Sequence, residues 1–389
     1  MASDDDTSIT PVSAGKGESA IRNNMDKALE KVQELYKLDK LLQASRILSI
    51  MRSEIESLKS SVSVTSQQLA EKYEKCLLNP PYPTIVSECS QLESLREALH
   101  SEHDWTVSYN GVETKVWYRR EPNTSTHSIL IEGYIRAPLL HVAALVYESD
   151  VYERLFWYVT SARRLETEDS SAMRRAAYIT VFAPWPLYNR DVAVYAFAVD
   201  ALDEDDCVMA LTRSIDETHP LKEPVPPPSS LSRTVRADMY NSGFILYPES
   251  PGVTKARFLY NVDPHLSFVP MALVNWGART ICRWSIRTLE SRAKNLSRVS
   301  PLYEERIATE PFYEFVRRRL REYWERKGIS PEKEHGHQHE GHSSPGRRSH
   351  SFDPEVQPQL PPTSVIKAIV RGDDSESGQR SRWAKALFG

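Results

Sequence analysis

The chain has 389 residues, with 49 Lys and Arg against 53 Asp and Glu for a net charge of −4, and a mean hydropathy of −0.49. That length accommodates one large domain, a smaller one and tails, and the near-neutral balance argues against nucleic-acid binding through bulk charge. There is no run of 18 apolar residues, so any membrane contact is expected to be peripheral.

The four cysteines, Cys76, Cys89, Cys207 and Cys282, show no CxxC spacing and fit a reducing compartment. The opening MASDDDTS has no apolar run that would serve as a signal peptide, and Ala2 does not fit the N-myristoylation pattern. The expectation is a cytoplasmic protein.

Residues 1–20, rich in Ser, Asp, Gly and Thr, read as a disordered leader. From Ile21 a helical period sets in through Leu29, Val32 and Leu35, then Leu41, Leu48, Met51, Ile55 and Leu58; a third helical segment, Ser66–Leu78, stops at Asn79-Pro80-Pro81. Residues 21–80 are expected to form a helical hairpin or small bundle, suited to docking a protein partner.

A helix at Ser87–His100 leads into strands. Trp105–Tyr109 and Val112–Arg119 flank Asn110-Gly111, a dipeptide suited to a type I′ hairpin. Ser128–Arg136 gives a third strand, helices follow from Ala137 to Tyr147 and around Asp150–Phe156, and strands then dominate: Tyr158–Glu168, Met173–Ala183, Asp191–Leu202, Cys207–Ile215, Leu231–Pro248 and Thr254–Val262. Nine largely antiparallel strands followed by one covering helix predict an α+β fold.

The covering helix is expected over Phe268–Leu296. Leu273, Val274, Gly277, Ala278, Ile281 and Trp284 share one face, and Arg279, Arg283 and Arg287 the other, with Trp276 among them. The small pair Gly277-Ala278 leaves a shallow groove, read either as close packing on the sheet or as a wall facing a ligand. Residues 301–328 add a basic helix whose stripe is Phe312, Val316, Leu320 and Tyr323; its arginines are a solvated face or a contact for anionic headgroups. Residues 329–389, rich in Gly, Ser, Pro and His, read as a disordered tail.

No GxSxG, HExxH or phosphate-cradling glycine motif is present, and no metal site or cofactor is expected; His335, His337, His339 and His342 lie in the low-complexity tail. In Ala183–Asp191 (APWPLYNRD), two prolines stiffen a loop that carries Trp185, and Arg190-Asp191 open the next strand. That pair is read as an ion-paired pin for the loop or as the tether of a hinged gate.

PWPLYNRD, then YNSGFILYP at Tyr240–Pro248, then YNVDPHLSFVPMALVNWGAR at Tyr260–Arg279, resemble the signposts of the START family of steroidogenic-acute-regulatory-related lipid-transfer domains, in look nearest the phosphatidylcholine-transfer type. The resemblance spans Ser87–Leu296. It implies a helix-grip fold, a curved antiparallel sheet wrapped around the C-terminal helix, with a cavity for one phospholipid or sterol-like molecule and no catalysis. It also implies a mobile loop at Pro184–Asn189 and a lid at Phe268–Trp284.

Carried over by position, Trp157 takes the family's tryptophan at the fourth strand and Arg154 the place of a phosphate-binding arginine. Ala183 stands where the phosphatidylcholine type offers an aromatic, and Ala177 and Ala196 where the sterol branch has an acid and an arginine, so neither headgroup signature is intact. The lipid-binding candidates are Arg154, Trp157, Trp185, Arg190, Asp191, Phe268, Leu273, Gly277, Ala278 and Ile281. Trp276, Arg279, Arg283 and Arg287 are the membrane-docking candidates. The competing reading is a scaffold whose N-terminal helices and tail recruit partners, with the START-like module as a sensor; a weaker third is an enzyme on a related fold.

Overall fold

The computed structural model describes residues 18–101, 105–121, 124, 126–167, 171–183, 188–216, 221–227, 234–265 and 282–329. The chain divides into two compact units, Met1–Ser94 and Leu95–Gly389.

In the first unit, α1 (Glu18–Lys37), α2 (Leu41–Lys59) and α3 (Val64–Leu77) pack in sequence order. Leu41, Ala44, Leu48, Met51, Ile55 and Leu58 of α2 are all buried, the stripe that a 3.6-residue period dictates. Ser63 caps α3 by accepting from the Ser66 N–H at 3.3 Å. The buried Tyr73 donates its hydroxyl to Asp26 of α1 at 2.7 Å. Next comes α4 (Tyr82–His100), which starts five residues before the predicted Ser87 because Pro83 falls in its first turn, where a missing N–H costs no helical bond.

The second unit is built on a ten-stranded sheet: β1 (Thr106–Asn110), β2 (Thr114–Arg120), β3 (His127–Ile135), β4 (Val159–Leu165), β5 (Arg174–Val181), β6 (Asn189–Ala201), β7 (Cys207–Ser214), β8 (Thr234–Arg236), β9 (Asp238–Ser250) and β10 (Val253–Asp263). Its order is β1-β2-β3-β10-β9-β7-β6-β5-β4, antiparallel along that path, with β8 added parallel to β6. Register shifts within β1, β4 and β10 mark bulges, which bend strands and deepen the curl of an open sheet. Between β3 and β4 lie α5 (Leu139–Tyr147), a 3-10 turn at Ser149–Val151 and α6 (Tyr152–Leu155). After β10 come α7 (Arg283–Ala293), α8 (Leu296–Val299), α9 (Pro301–Thr309) and α10 (Pro311–Arg326).

The α+β helix-grip architecture expected from the sequence is the one observed. Two local expectations are corrected. The β1–β2 hairpin is present, but its turn is not type I′: Asn110 still pairs with Lys115 as a strand residue, Gly111 N–H donates to the Thr114 carbonyl at 3.0 Å, and neither Asn110 nor Gly111 has the positive φ that type requires. The predicted strand Leu231–Pro248 is two strands. Ala237 N–H bonds the Asp191 carbonyl at 2.8 Å, which holds β8 beside β6 before the chain enters β9.

Helix and sheet meet at Gly133 of β3. A Cβ there would lie 2.8 Å from Cγ2 of Ile286, so glycine is what lets α7 settle. The close approach assigned to Gly277 and Ala278 lies outside the described residues.

The segment after α7 is part of this core: Tyr303, Phe312 and Tyr313 are buried in the cluster that holds Ile286 and Leu289. The predicted basic helical extension is built as two helices, separated at Glu310 with Pro311 opening the second. Its basic groups are largely matched. Arg319 meets Asp200, Asp203 (2.7 Å) and Glu322 (2.6 Å), Arg326 meets Asp203 (2.5 Å) and Lys327 meets Asp206 (2.8 Å). The apolar stripe faces inward, so α10 presents no free amphipathic face to a lipid surface.

Candidate functional site

A strand exposes alternate residues to each face. In β5 that puts Arg175, Ala177 and Ile179 on one side; in β6, Val192, Val194, Ala196 and Ala198 join them, and in β7, Val208, Ala210 and Thr212. These residues, with Phe244 and Leu246 of β9 and Phe258 and Tyr260 of β10, line a cavity of about 230 Å³. Ala143, Val146 and Tyr147 of α5 and Phe312 of α10 complete its wall. Tyr260, 41% exposed, lines the cavity, and desolvation pushes its hydroxyl above the usual tyrosine range.

Gly243 contributes to the same wall. A Cβ there would fall 2.1 Å from the Ala210 carbonyl oxygen, so only glycine permits this approach of β9 to β7.

The lining is apolar with one polar row. Register places Arg175 opposite Ala196, Ala196 opposite Thr212, and Thr212 opposite Ser242, so four strands contribute neighbouring positions. Arg175 donates through Nη1 to the carbonyls of Arg174 (3.1 Å) and Ser171 (3.3 Å) and through Nη2 to the Tyr147 hydroxyl. Its guanidinium lies 4.5 Å from the Tyr147 ring centroid, and Tyr147 stacks on Phe312 at 3.9 Å with planes 6° apart. Burial pulls the Arg175 pKa below the ordinary arginine value.

The predicted site residues fall elsewhere or outside the described structure. Arg154, on α6, donates to the Ser300 hydroxyl at 2.9 Å, and Ser300 caps α9. Trp157 lies 6.3 Å from Phe182 and 6.4 Å from Trp284, centroid to centroid, and its buried indole N–H has no partner among the described residues. Arg190 donates through Nε to the Pro264 carbonyl at 2.6 Å and through Nη1 to Tyr188, tying the start of β6 to the end of β10. Asp191, fully buried on the opposite face, accepts from Tyr178 Oη and Arg236 Nε, both at 2.6 Å. Arg190 and Asp191 therefore do not pair with each other; Asp191 pins β8 through Arg236.

Arg283 lies 4.9 Å over the Tyr109 ring, and Arg287 is half-buried and engaged. Trp185, Phe268, Leu273, Trp276, Gly277, Ala278, Arg279 and Ile281 lie outside the described residues, as do the His-rich tract and the chain's last sixty residues. Arg175 and Tyr147 were not singled out from the sequence, and Phe312 was read only as part of the apolar stripe of the basic extension. The available signal was Arg175 itself, a charge in register with Ala177 and Ile179 on an otherwise apolar strand face.

Among the described residues no group of three or more His, Cys, Asp or Glu is arranged to hold a metal ion, and no helix is long and apolar enough to cross a membrane. Comparison with curated protein sequences returns no match. Among solved structures, human STARD10 is similar at 18% identity and a TM-score of 0.43, over 55% of this chain and 86% of that one. Human StAR-related lipid transfer protein 5 is similar at 16% identity and 0.42, over 54% and 95%. A STAR-related lipid transfer protein fragment from Xanthomonas axonopodis is similar at 17% identity and 0.38, over 49% and 99%. Comparison with known protein families matches the START domain over residues 85–288, just over half the chain, from α4 through β10 into α7. This chain belongs to the START domain family.

Proposed function

We propose that the chain binds one lipid in the cavity between the sheet and the helices packed on it, and carries it between membranes or reports its presence. The observation that carries the reading is the cavity. It is walled by alternate residues of β5, β6, β7, β9 and β10, and apolar apart from a short polar row. Membership of the START domain family supports it.

A volume of about 230 Å³ is just below the roughly 300–1,000 Å³ of common ligand pockets, so entry of a whole lipid goes with movement of the wall. The segments Pro184–Asn189 and Phe268–Trp284 are the proposed loop and lid. Burial of the ligand's apolar surface, at about 25 cal/mol per Å², drives closure, and no catalytic step is invoked. Contact with the membrane is peripheral and transient, and the proposed location is the cytoplasm.

Transfer of a fluorescent lipid between vesicles by the purified full chain tests this. Acceleration that saturates at one lipid per chain is expected; no acceleration and no bound lipid would contradict it.

A scaffold role is favoured by one observation, the separate N-terminal unit with its own core. Deletion of residues 1–80, checked for retained near-UV circular dichroism, separates the two: vesicle transfer survives if the START domain acts alone.

A further inference from the structure

We propose that Arg175 anchors an anionic oxygen headgroup, carboxylate or phosphate, of the lipid that enters this cavity; the inference rests on the lipid-binding reading above. Arg175 is a guanidinium set into an apolar wall. Its neighbours on the same face are small, Ala177 two residues along β5 and Ala196 directly across on β6, which leaves room beside the charge.

Of its five N–H donors, three are used, two by backbone carbonyls and one by the Tyr147 hydroxyl. The Nε–H is buried and, among the described residues, has no partner. All three acceptors are neutral, and among the described residues no carboxylate lies within ion-pair distance. Glu310 is the acid whose field reaches it, and that carboxylate is engaged 3.8 Å from Arg306.

The contrast with its neighbours is informative. Arg164 and Arg306, close by in the same part of the fold, each meet both Glu148 and Asp150. A half-buried charge without an opposite charge carries part of the cost of a buried one, so a ligand that brings an anion supplies what the protein leaves out. The site is also held in place. The Tyr147 ring flanks the guanidinium and is fixed from behind by Phe312, so the donors are presented without freedom to swing away. Thr212 extends the polar row to β7, where a further headgroup oxygen would lie.

The test uses the full-length protein and displacement of a bound fluorescent fatty-acid probe. The competitors are oleate and oleoyl lysophosphatidate, with monoolein as the uncharged ligand of equal chain. Wild type is expected to bind an anionic competitor about 10- to 100-fold more tightly than monoolein, the value of a charge-assisted hydrogen-bonded contact. Arg175→Gln is expected to abolish that preference while binding monoolein within about twofold of wild type, and Arg175→Lys to keep part of it. The stronger of the two anionic arms identifies carboxylate or phosphate as the source.

Unchanged anion preference in Arg175→Gln overturns the assignment, as does equal loss of anionic and neutral ligands, which would mark Arg175 as structural. If Arg175→Gln fails to fold, wild type and Arg175→Lys carry the test, and equal affinity of wild type for oleate, lysophosphatidate and monoolein overturns it. Binding of none of the three by wild type overturns the lipid-binding reading itself.

Discussion

Glu148 is a buried carboxylate on which the C-terminal helices are fastened, and Glu148→Gln tests how much that fastening contributes. Its side chain is 0% exposed, directly after α5. It accepts from Tyr313 Oη at 2.5 Å and from Arg164 and Arg306, so one carboxylate joins β4, α9 and α10. Glutamine preserves the shape and removes the charge, leaving two guanidinium groups partly uncompensated. Breaking a buried charge set in this way costs about 3–5 kcal/mol. Asp150 still meets Arg306 at 2.7 and 3.0 Å and Arg164 at 3.1 Å, which places the expected loss near the lower end, about 3 kcal/mol.

The assay is urea unfolding of the full chain followed by tryptophan fluorescence. All eight tryptophans lie at or beyond Trp105, so the signal reports the second unit alone. With a slope of about 1–3 kcal/mol per M, the midpoint should fall by roughly 1–3 M with the slope unchanged. A loss under about 1 kcal/mol would refute the reasoning, showing that Asp150 and solvent suffice for both arginines.

Three further outcomes are expected. Gly133→Ala places a methyl 2.8 Å from Ile286 Cγ2 and should destabilise by about 1–3 kcal/mol; combined with Ile286→Ala the total should fall short of the sum of the two single losses, and strict additivity would argue against direct packing. His127 is held below the ordinary histidine pKa, first by burial and then by Arg120, and lies 2.9 Å from Tyr118 Oη. The unfolded chain therefore takes up the proton first, and stability present above about pH 6.5 is lost as pH falls from there toward the folded value. Urea midpoints at pH 7.5 and 5.5 should drop less in His127→Gln than in wild type, and equal drops would contradict the assignment. Burial pushes the Cys207 thiol up to about 12 and raises that of Cys89, so alkylation of the native chain at pH 8 should label Cys76 quickly and Cys89 and Cys207 only on unfolding. Fast labelling of Cys89 or Cys207 in the native chain would count against their buried placements.

The elements were legible where one segment suffices to define them. The stripe Leu41–Leu58 defines α2 by its period, and the run Asp191–Leu202, rich in β-branched and aromatic residues, marks β6, although both its faces are apolar and the one that lines the cavity is set by pairing. What depends on pairing across the fold was not legible. Asp191 meets Arg236, 45 residues on, and Glu148 meets Tyr313, 165 residues on. The Asn110-Gly111 dipeptide signalled a hairpin, but the register that makes Asn110 a strand residue is set by β2. The basic helix Pro311–Arg326 looked available to a lipid surface because the acids that neutralise it, Asp200, Asp203 and Asp206, belong to a distant hairpin. Arg175 became a candidate only once the rows of β5, β6, β7 and β9 were aligned.

Native mass spectrometry of the purified full-length chain tests the central claim most directly. One lipid-sized adduct per chain, released on denaturation and recovered in the organic phase, is the predicted result. A spectrum of the bare chain alone, from protein that also fails to take up lipid from vesicles, would contradict it.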